Sequence, residues 1–322
     1  MNDREIMQQF LPLFAELRPE NSFEKKKPLL AHYTTIKVLE QILLHNEVWF
    51  SNPLFMNDME EVRFGVVQGN TLVINSEEIE KACKTTERVH QFKKDFTGYF
   101  NKFANENVLN TYIFCLSLHD RNDDDGLLSM WRGYGANGNG VAIVFDTARL
   151  NVVQDSPLII AEVIYDTTEA RMKWLNELLS TFANILRETD IPTEKLYLAA
   201  YSLFERIKLF ALFTKHHGFK EEVEWRVVYL PERDIEKKLE PMFQYSIGTR
   251  GVEPKLKFKV FPIKGLTTDD LSITNLTERI ILGPSISSPM TYATVSRMLD
   301  VLKHSGLKPK LRGSTIPFRA LG

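Results

Sequence analysis

A short apolar run between two polar turns constrains the fold of this chain more than any other stretch. Residues 217–231 have the sequence HGFKEEVEWRVVYLP. A helical pattern ends at Gly218, a residue that can adopt the left-handed conformation that closes a helix. The run before Pro231 is rich in β-branched and aromatic residues, which is typical of a buried strand. The sequence therefore predicts a buried strand whose first residues are acidic.

Two glutamates, Glu222 and Glu224, lie at the start of this predicted strand. Side chains alternate along a strand, so we expect both carboxylates on one face and Trp225 on the other face, in the core. Two neighbouring carboxyl groups can raise the pKa of one of them, which suits a group that orients a hydroxyl or stabilises a developing cation. The alternative is a solvated acidic edge beside Lys220 and Arg226.

Strand-like runs recur at irregular spacing along the chain, and long helical patterns lie between them. This pattern predicts an α+β fold with a mixed, largely antiparallel sheet system. We expect one domain over residues 1–322, with helical insertions at about 76–107 and 169–215, the first containing one long helix over 76–104. The regular βαβ alternation of a doubly wound nucleotide-binding fold is absent from the sequence.

Composition excludes several classes of protein. The formal net charge is −2 over 322 residues, so no overall field favours nucleic acid or an anionic membrane. Two cysteines, Cys83 and Cys115, form neither a disulfide framework nor a metal-ligand spacing. The sequence has no signal-peptide pattern and no apolar run near the about 20 residues of a membrane span. We therefore expect a cytoplasmic protein with no membrane partner.

The segment His32-Tyr33-Thr34, at the end of an early strand, is the first candidate ligand-binding motif. His32 can form a hydrogen bond with a sugar hydroxyl, and the ring of Tyr33 can stack on a planar group. The alternative is a core histidine that the backbone satisfies.

The segment Ser129–Gly135 (SMWRGYG) is the second. Arg132 could hold a diphosphate with two hydrogen bonds, and Trp131 and Tyr134 could enclose a base. The alternative is a packed corner with Trp131 inward.

A metal site is the third possibility considered. His32, Asp58 and Glu61 could surround a divalent ion, but no recognisable spacing supports this. Asn57 and Asp58, like Ser51-Asn52-Pro53, are typical of turns whose side chains bond their own backbone.

Taken together, an ordered series of short motifs from about residue 29 to 319 resembles a bacterial family catalogued as a domain of unknown function. The series comprises His32-Tyr33-Thr34, Trp49-Phe50-Ser51-Asn52-Pro53, Asn57-Asp58 with Glu60 or Glu61, Ser117, Ser129-Met130-Trp131, Tyr134-Gly135, residues 140–146 (GVAIVFD), Glu222-Val223-Glu224-Trp225-Arg226, residues 281–284 (ILGP) and residues 314–319 (STIPFR). This resemblance implies no activity, because the family is named for none.

More distantly, the opening motif and the late Glu-x-Glu strand are similar to ADP-ribosyltransferase-like folds. The resemblance implies that Glu224 stabilises the oxocarbenium-like ribose of NAD while Glu222 orients the acceptor. It implies that His32 holds the ribose or the diphosphate. Ser129 or Ser51 would then be the middle-strand hydroxyl.

These observations favour an NAD-using ADP-ribosyltransferase-like enzyme that transfers ADP-ribose to a macromolecule or hydrolyses NAD. We expect NAD as its substrate, and a role in bacterial stress or phage defence from the kind of family. The acceptor, protein or nucleic acid, stays open, as does assembly into a homo-oligomer. Two alternatives remain: a non-catalytic sensor or interaction module, and a metal-dependent nuclease that uses Asp58, Glu61, Glu222 and Glu224. The near-neutral charge and the lack of an obvious basic stripe weigh against nucleic-acid binding.

Overall fold

The computed structural model describes residues 1–17, 23–56, 59–150, 156–248 and 251–318; of residues 59–61 and 63 it describes the backbone alone. The α-helices are α1 (Asp3–Gln9), α2 (Phe23–Lys26), α3 (Ile36–His45), α4 (Met59–Ile74), α5 (Glu77–Cys83), α6 (Thr86–Asn105), α7 (Leu128–Gly133), α8 (Thr168–Glu188), α9 (Leu196–Phe213), α10 (Ile273–Leu276) and α11 (Pro289–Val301). The strands are β1 (Leu29–Thr34), β2 (Glu47–Ser51), β3 (Tyr112–His119), β4 (Val141–Asp146), β5 (Leu158–Glu162), β6 (Ile164–Asp166), β7 (Thr214–His216), β8 (Glu224–Tyr229), β9 (Phe243–Gly248), β10 (Gly251–Lys259), β11 (Thr277–Leu282) and β12 (Leu311–Gly313).

The chain forms two compact units, where the sequence led us to expect one domain with insertions. Unit 1 comprises residues 1–22, 52–111 and 163–219, and unit 2 comprises residues 23–51, 112–162 and 220–322. Both predicted helical segments, 76–107 and 169–215, lie in unit 1, whose segments extend beyond them at each end. The α+β class is confirmed, with helices in both units and the large sheet in unit 2.

Unit 1 is a helical unit around one apolar core. Phe92 and Phe96 of α6 pack there with Phe182 of α8, and buried residues of α1, α4, α5 and α9 complete the core. Helix α4 approaches α9 closely at Gly65, where a Cβ atom would lie 2.7 Å from the Cβ atom of Ala211. Strands β6 and β7 form a parallel pair beside these helices within the same unit.

The prediction of one long helix over 76–104 is wrong, because the structure contains two helices there, α5 and α6. Ser76 caps α5, as its sequence suggests. The chain then turns at Lys84, which has a φ of 70°, and the Thr85 side chain caps α6 by accepting a hydrogen bond from the Arg88 amide. A threonine two residues after Cys83 is therefore a second helix start, which the continuing apolar period concealed.

Unit 2 contains a sheet to which ten of the described strands belong. All of its strand pairs are antiparallel except β11 with β12, which confirms the mixed, largely antiparallel prediction. Strand β8 pairs with β3 along one edge, from Tyr112 to Ser117. Strands β1 and β2 therefore share the other edge of β3: β1 pairs with residues 117–119 and β2 with Ile113. We call this divergence of β1 and β2 the fork.

The two faces of this sheet differ in chemistry. Ala31, Ser117 and Glu224 are directly opposite one another on β1, β3 and β8, so their side chains share one face, here called the polar face. The neighbouring residues point to the other face, here called the apolar face, which carries the largest core cluster of unit 2. Its members on these three strands are Leu30, Tyr112, Phe114, Leu116, Trp225 and Tyr229. Trp225 is 2% exposed, which confirms its predicted place in the core.

Candidate functional site

Glu224 is the first residue of β8, and it forms an ion pair with Arg226 on the polar face. Arg226 donates from Nε to Glu224 Oε1 at 2.9 Å and from Nη2 to Oε2 at 3.2 Å. Glu224 is 4% and Arg226 1% exposed. Charge-assisted bonds to both carboxylate oxygens hold the group in one orientation. The structure thus gives Glu224 a fixed, buried carboxylate with a cationic partner.

Glu222 does not share the strand with Glu224, and the predicted alternation is wrong for this pair. Residues His217–Glu222 form a 3-10 turn, and Val223 has a φ of 42°. A left-handed residue interrupts the extended backbone that alternation requires. The Glu222 side chain instead accepts a hydrogen bond at Oε1 from the hydroxyl of Tyr134, at 2.9 Å.

Residues Glu221–Glu224, here called the acidic turn, are held by two side chains and one backbone amide that are far away in sequence. Ser117 Oγ of β3 donates to the carbonyl oxygen of Glu222 at 2.5 Å. Ser129 Oγ of α7 donates to the carbonyl oxygen of Glu221 at 3.4 Å. The amide of Leu118 donates to the carbonyl oxygen of Val223 at 2.9 Å. These contacts fix the path of the backbone between the two glutamates.

His32 lies at the fork, on the apolar face. Its Nδ1 is 3.3 Å from the carbonyl oxygen of Cys115, on β3 beyond the residues that pair with β1. Its ring packs against Phe114 with the ring centroids 4.7 Å apart. Burial lowers the pKa of His32 to about 4, against the weaker effect of the Cys115 carbonyl, so the imidazole is neutral near pH 7. The structure thus matches the alternative of a core histidine that the backbone satisfies.

The structure does not bring His32 and Glu224 together. The Glu224 side chain is on the polar face, whereas His32 is one residue beyond Ala31 on β1 and points to the opposite face. The sheet itself therefore separates them. This corrects the role that the resemblance implied for His32, as a partner of Glu224 around one ribose.

Tyr33, Thr34 and Trp131, which were expected to contact a cofactor, are buried. Trp131 is fully buried, and its Nε1 donates to the carbonyl oxygen of Asp125 at 2.8 Å. The Tyr33 hydroxyl accepts a hydrogen bond from the amide of Leu127 at 2.8 Å, and its ring meets Trp131 edge to face. Burial raises the pKa of Tyr33 to about 12. These rings form the packed corner that was the alternative.

The Asp-rich loop over residues 120–126 makes several hydrogen bonds with distant parts of unit 2. Asp125 accepts hydrogen bonds from the amide and the hydroxyl of Thr315. Arg279 donates to the carbonyl oxygen of Asp123 at 3.1 Å and to the carboxylate of Asp124 at 2.6 Å. The loop thus connects the Tyr33–Trp131 corner with the motif near the C-terminus. A run of aspartates before a glycine was its sequence signal.

Two predicted ligand-binding residues are exposed: Arg132 in α7 and Tyr134, which follows that helix. Arg132 is exposed, and its guanidinium carbon is 5.3 Å from the ring centroid of Phe318. Tyr134 is 40% exposed and reaches Glu222 as described. Ser129 bonds the acidic turn. The structure therefore brings Ser129, Tyr134 and Glu222 together, with Arg132 on the same short helix.

Ser51 is placed apart from this group. It ends β2, opposite Ile113, which is four residues before Ser117 along β3. At about 3.4 Å per residue this is a separation of roughly 14 Å along the strand. The Ser51 hydroxyl accepts a hydrogen bond from Lys255 Nζ at 2.9 Å. Ser129 is thus the predicted hydroxyl that contacts the acidic turn.

The metal hypothesis has no further support from the described side chains. Among them, no group of three or more histidine, cysteine, aspartate or glutamate residues could hold a metal ion. Asp58 lies outside the described residues, and the side chain of Glu61 is not described, so the nuclease hypothesis stays a prediction. Within the described ranges, no helix has both the length and the apolar character to cross a membrane.

Comparison with known proteins gives one match. No curated protein and no solved structure matches the chain. A family model matches residues 130–227, which begin in α7 and end in β8. The matched region includes Trp131, Tyr134, Glu222, Glu224 and Arg226, and so most of the candidate site. Residues 130–227 thus match the model of the family described as "Protein of unknown function (DUF2971)".

Proposed function

We propose that this chain is an NAD-using enzyme of the ADP-ribosyltransferase-like class and that its reaction centre is the acidic turn beside Tyr134. The observation that supports this best is the 2.9 Å hydrogen bond from the Tyr134 hydroxyl to Glu222 Oε1, on a half-buried carboxylate. Ser117 and Ser129 hold the backbone of the same turn. A carboxylate held in this way keeps one direction toward a substrate, as proton transfer requires.

The two glutamates have different roles in this proposal. Glu224 is buried, and Arg226 offsets its charge at 2.9 Å, so it is a positioning residue at the start of β8. Glu222 is the more accessible of the two, and its Oε1 accepts a hydrogen bond from the Tyr134 hydroxyl. Contact with the ribose is therefore assigned to Glu222, whereas the resemblance gave this role to Glu224.

The proposed chemistry needs one accessible carboxylate. The bond between the nicotinamide nitrogen and ribose C1′ breaks, and both of its electrons stay on the nitrogen. The ribose becomes an oxocarbenium-like cation, which a nearby negative charge stabilises. A hydroxyl of the acceptor, or water, then bonds C1′ and gives its proton to Glu222. The products are nicotinamide and either an ADP-ribosylated acceptor or free ADP-ribose.

The NAD diphosphate is assigned to Arg132. This guanidinium is exposed, and the Phe318 ring 5.3 Å away supports its position. Arginine presents a planar fork of donors that matches phosphate oxygens. The ring of Tyr134 is 40% exposed and offers an aromatic surface beside the same carboxylate.

The test is NAD binding by calorimetry together with nicotinamide release, on wild type and three variants. Wild type should bind NAD and release nicotinamide. Glu222→Gln removes the charge at nearly constant shape, and should lower release at least about 100-fold while binding changes little. Glu224→Gln should lower release less and also lower thermal stability. Glu221→Gln, an exposed neighbour, is the matched control and should behave as wild type.

Two results would overturn the proposal. If wild type bound no NAD, the hypothesis of a non-catalytic sensor or interaction module would be favoured. If Glu222→Gln released nicotinamide at the wild-type rate, the acidic turn would not be the reaction centre. Cleavage of nucleic acid that required a divalent metal ion would favour the nuclease hypothesis instead.

The cellular role follows from the resemblance alone and is part of the proposal. Transfer to a macromolecule would serve bacterial stress or phage defence, with a protein or a nucleic acid as acceptor. Incubation of the purified protein with labelled NAD and separate protein and nucleic-acid fractions would distinguish the two acceptors. Sedimentation with and without NAD would test whether the chain acts as a homo-oligomer.

A further inference from the structure

The apolar face of the unit 2 sheet contains a cavity of about 120 Å³. Aromatic rings form much of its wall: Phe23, Phe50, Phe114, Phe145 and Phe258. Leu30, Leu116 and Val227 add aliphatic surface from β1, β3 and β8. The cavity is partly open rather than fully enclosed, so a molecule of suitable size can reach its apolar wall.

The wall of the cavity has no charged side chain among its lining residues, and nearly all of its polar groups are already bonded. Thr147 Oγ1 donates to the carbonyl oxygen of Pro28, and Ser156 Oγ accepts from the amide of Leu158. Thr267 Oγ1 accepts from the amide of Ile263 at 2.7 Å. Thr268 has a hydroxyl oxygen with no partner among the described residues. The wall therefore offers a ligand apolar contact and at most one hydroxyl.

An apolar cavity of similar size binds a single aromatic ring in another protein. An engineered cavity of about 150 Å³, lined by leucine, isoleucine and phenylalanine, stays free of water and takes up benzene or xenon. At 120 Å³ the present cavity has room for a ligand of the same class. An ionised ligand is excluded, because burying a charge without a partner is strongly unfavourable.

We infer that this cavity is a binding site for a small, neutral, apolar molecule with one ring or a short aliphatic chain. Side chains from β1, β2, β3, β8 and β10 line the cavity. A ligand would therefore contact both β1 and β2, the two strands that diverge at the fork. Phe114, one wall residue, also packs against His32. The site lies on the face opposite to Glu224, and the inference is independent of NAD chemistry.

Toluene is the probe, and its charged relative benzoate is the comparison. Toluene should bind the full-length protein with saturable heat in calorimetry and should raise its thermal unfolding midpoint. Benzoate at the same concentration should do neither. Val227→Phe places a ring inside the cavity and should weaken toluene binding at least about tenfold. Val252→Phe, the same change at a 64% exposed position of β10, should leave toluene binding unchanged.

Three results would overturn the inference: no toluene binding to wild type up to its solubility, equal binding of benzoate, or wild-type affinity in Val227→Phe. If Val227→Phe failed to fold, Leu158→Phe would fill the cavity from β5 instead. Wild-type toluene affinity in that variant would count against the site in the same way.

Discussion

The two faces of the unit 2 sheet hold their side chains by different means. On the apolar face, Leu116 and Trp225 lie opposite each other in a continuous core. On the polar face, one step along the same two strands, Ser117 lies opposite Glu224, and both are bonded. Apolar packing tolerates the exchange of groups of similar volume, whereas a buried charge does not tolerate the loss of its partner. The faces should therefore respond differently to substitution and to pH.

The largest expected effect tests the buried ion pair of the polar face. Arg226→Met leaves the carboxylate of Glu224 buried without its cationic partner and should lower the free energy of unfolding by about 3–5 kcal/mol. Urea denaturation followed by tryptophan fluorescence measures this. The double variant Glu224→Leu/Arg226→Met removes both charges and should be more stable than the single variant. If the double variant were the less stable one, the loss would come from packing and the contrast between the faces would fail.

A smaller effect tests the apolar face through pH. Burial lowers the pKa of His32 from its ordinary value of 6.5 to about 4, so the unfolded chain binds the proton more readily between these values. His32 thus contributes stability that is present above pH 6.5 and is lost as the pH falls toward 4. The expected loss from pH 7 to pH 5 is about 2 kcal/mol.

The matched variant for this prediction is His32→Phe, which keeps a ring against Phe114 and cannot titrate. Its free energy of unfolding should depend less on pH between 7 and 5 than that of wild type, by the same amount. Leu44→Phe, at a 53% exposed position of α3, adds a ring without removing a titratable group; it is the control and should keep the wild-type slope. Identical slopes for wild type and His32→Phe would mean that the imidazole is not desolvated.

Local patterns predicted the apolar face better than the polar face. The early strand that ends in His32-Tyr33-Thr34 follows from neighbouring residues, and the structure contains it as β1. Trp225 was placed in the core from the alternation of β8 alone. These features depend on a few residues in sequence, where propensity and period are informative.

The polar face depends on contacts that no local pattern contains. Tyr134 and Glu222 are 88 residues apart, and Ser117 and Glu222 are 105 apart. The left-handed φ of Val223 has no sequence signal either, because β-branched residues rarely adopt it. The contacts of these motif residues could therefore not be predicted from local sequence: Trp131 and Tyr33 pack against each other, and Tyr134 donates a hydrogen bond to Glu222.

The smallest expected effect on stability distinguishes the exposed edge of the polar face from its buried part. Tyr134→Phe removes one hydroxyl at a 40% exposed position, so the free energy of unfolding should fall by less than about 1 kcal/mol. Under the proposed function the same change removes one contact that orients the Glu222 carboxylate, and nicotinamide release should fall about tenfold or more. Tyr245→Phe, at a 59% exposed position of β9, is the matched control for both measurements. A Tyr134→Phe variant that lost stability but kept its activity would make Tyr134 a packing residue like Trp131, and the polar face would then differ from the apolar face only in how it is held together.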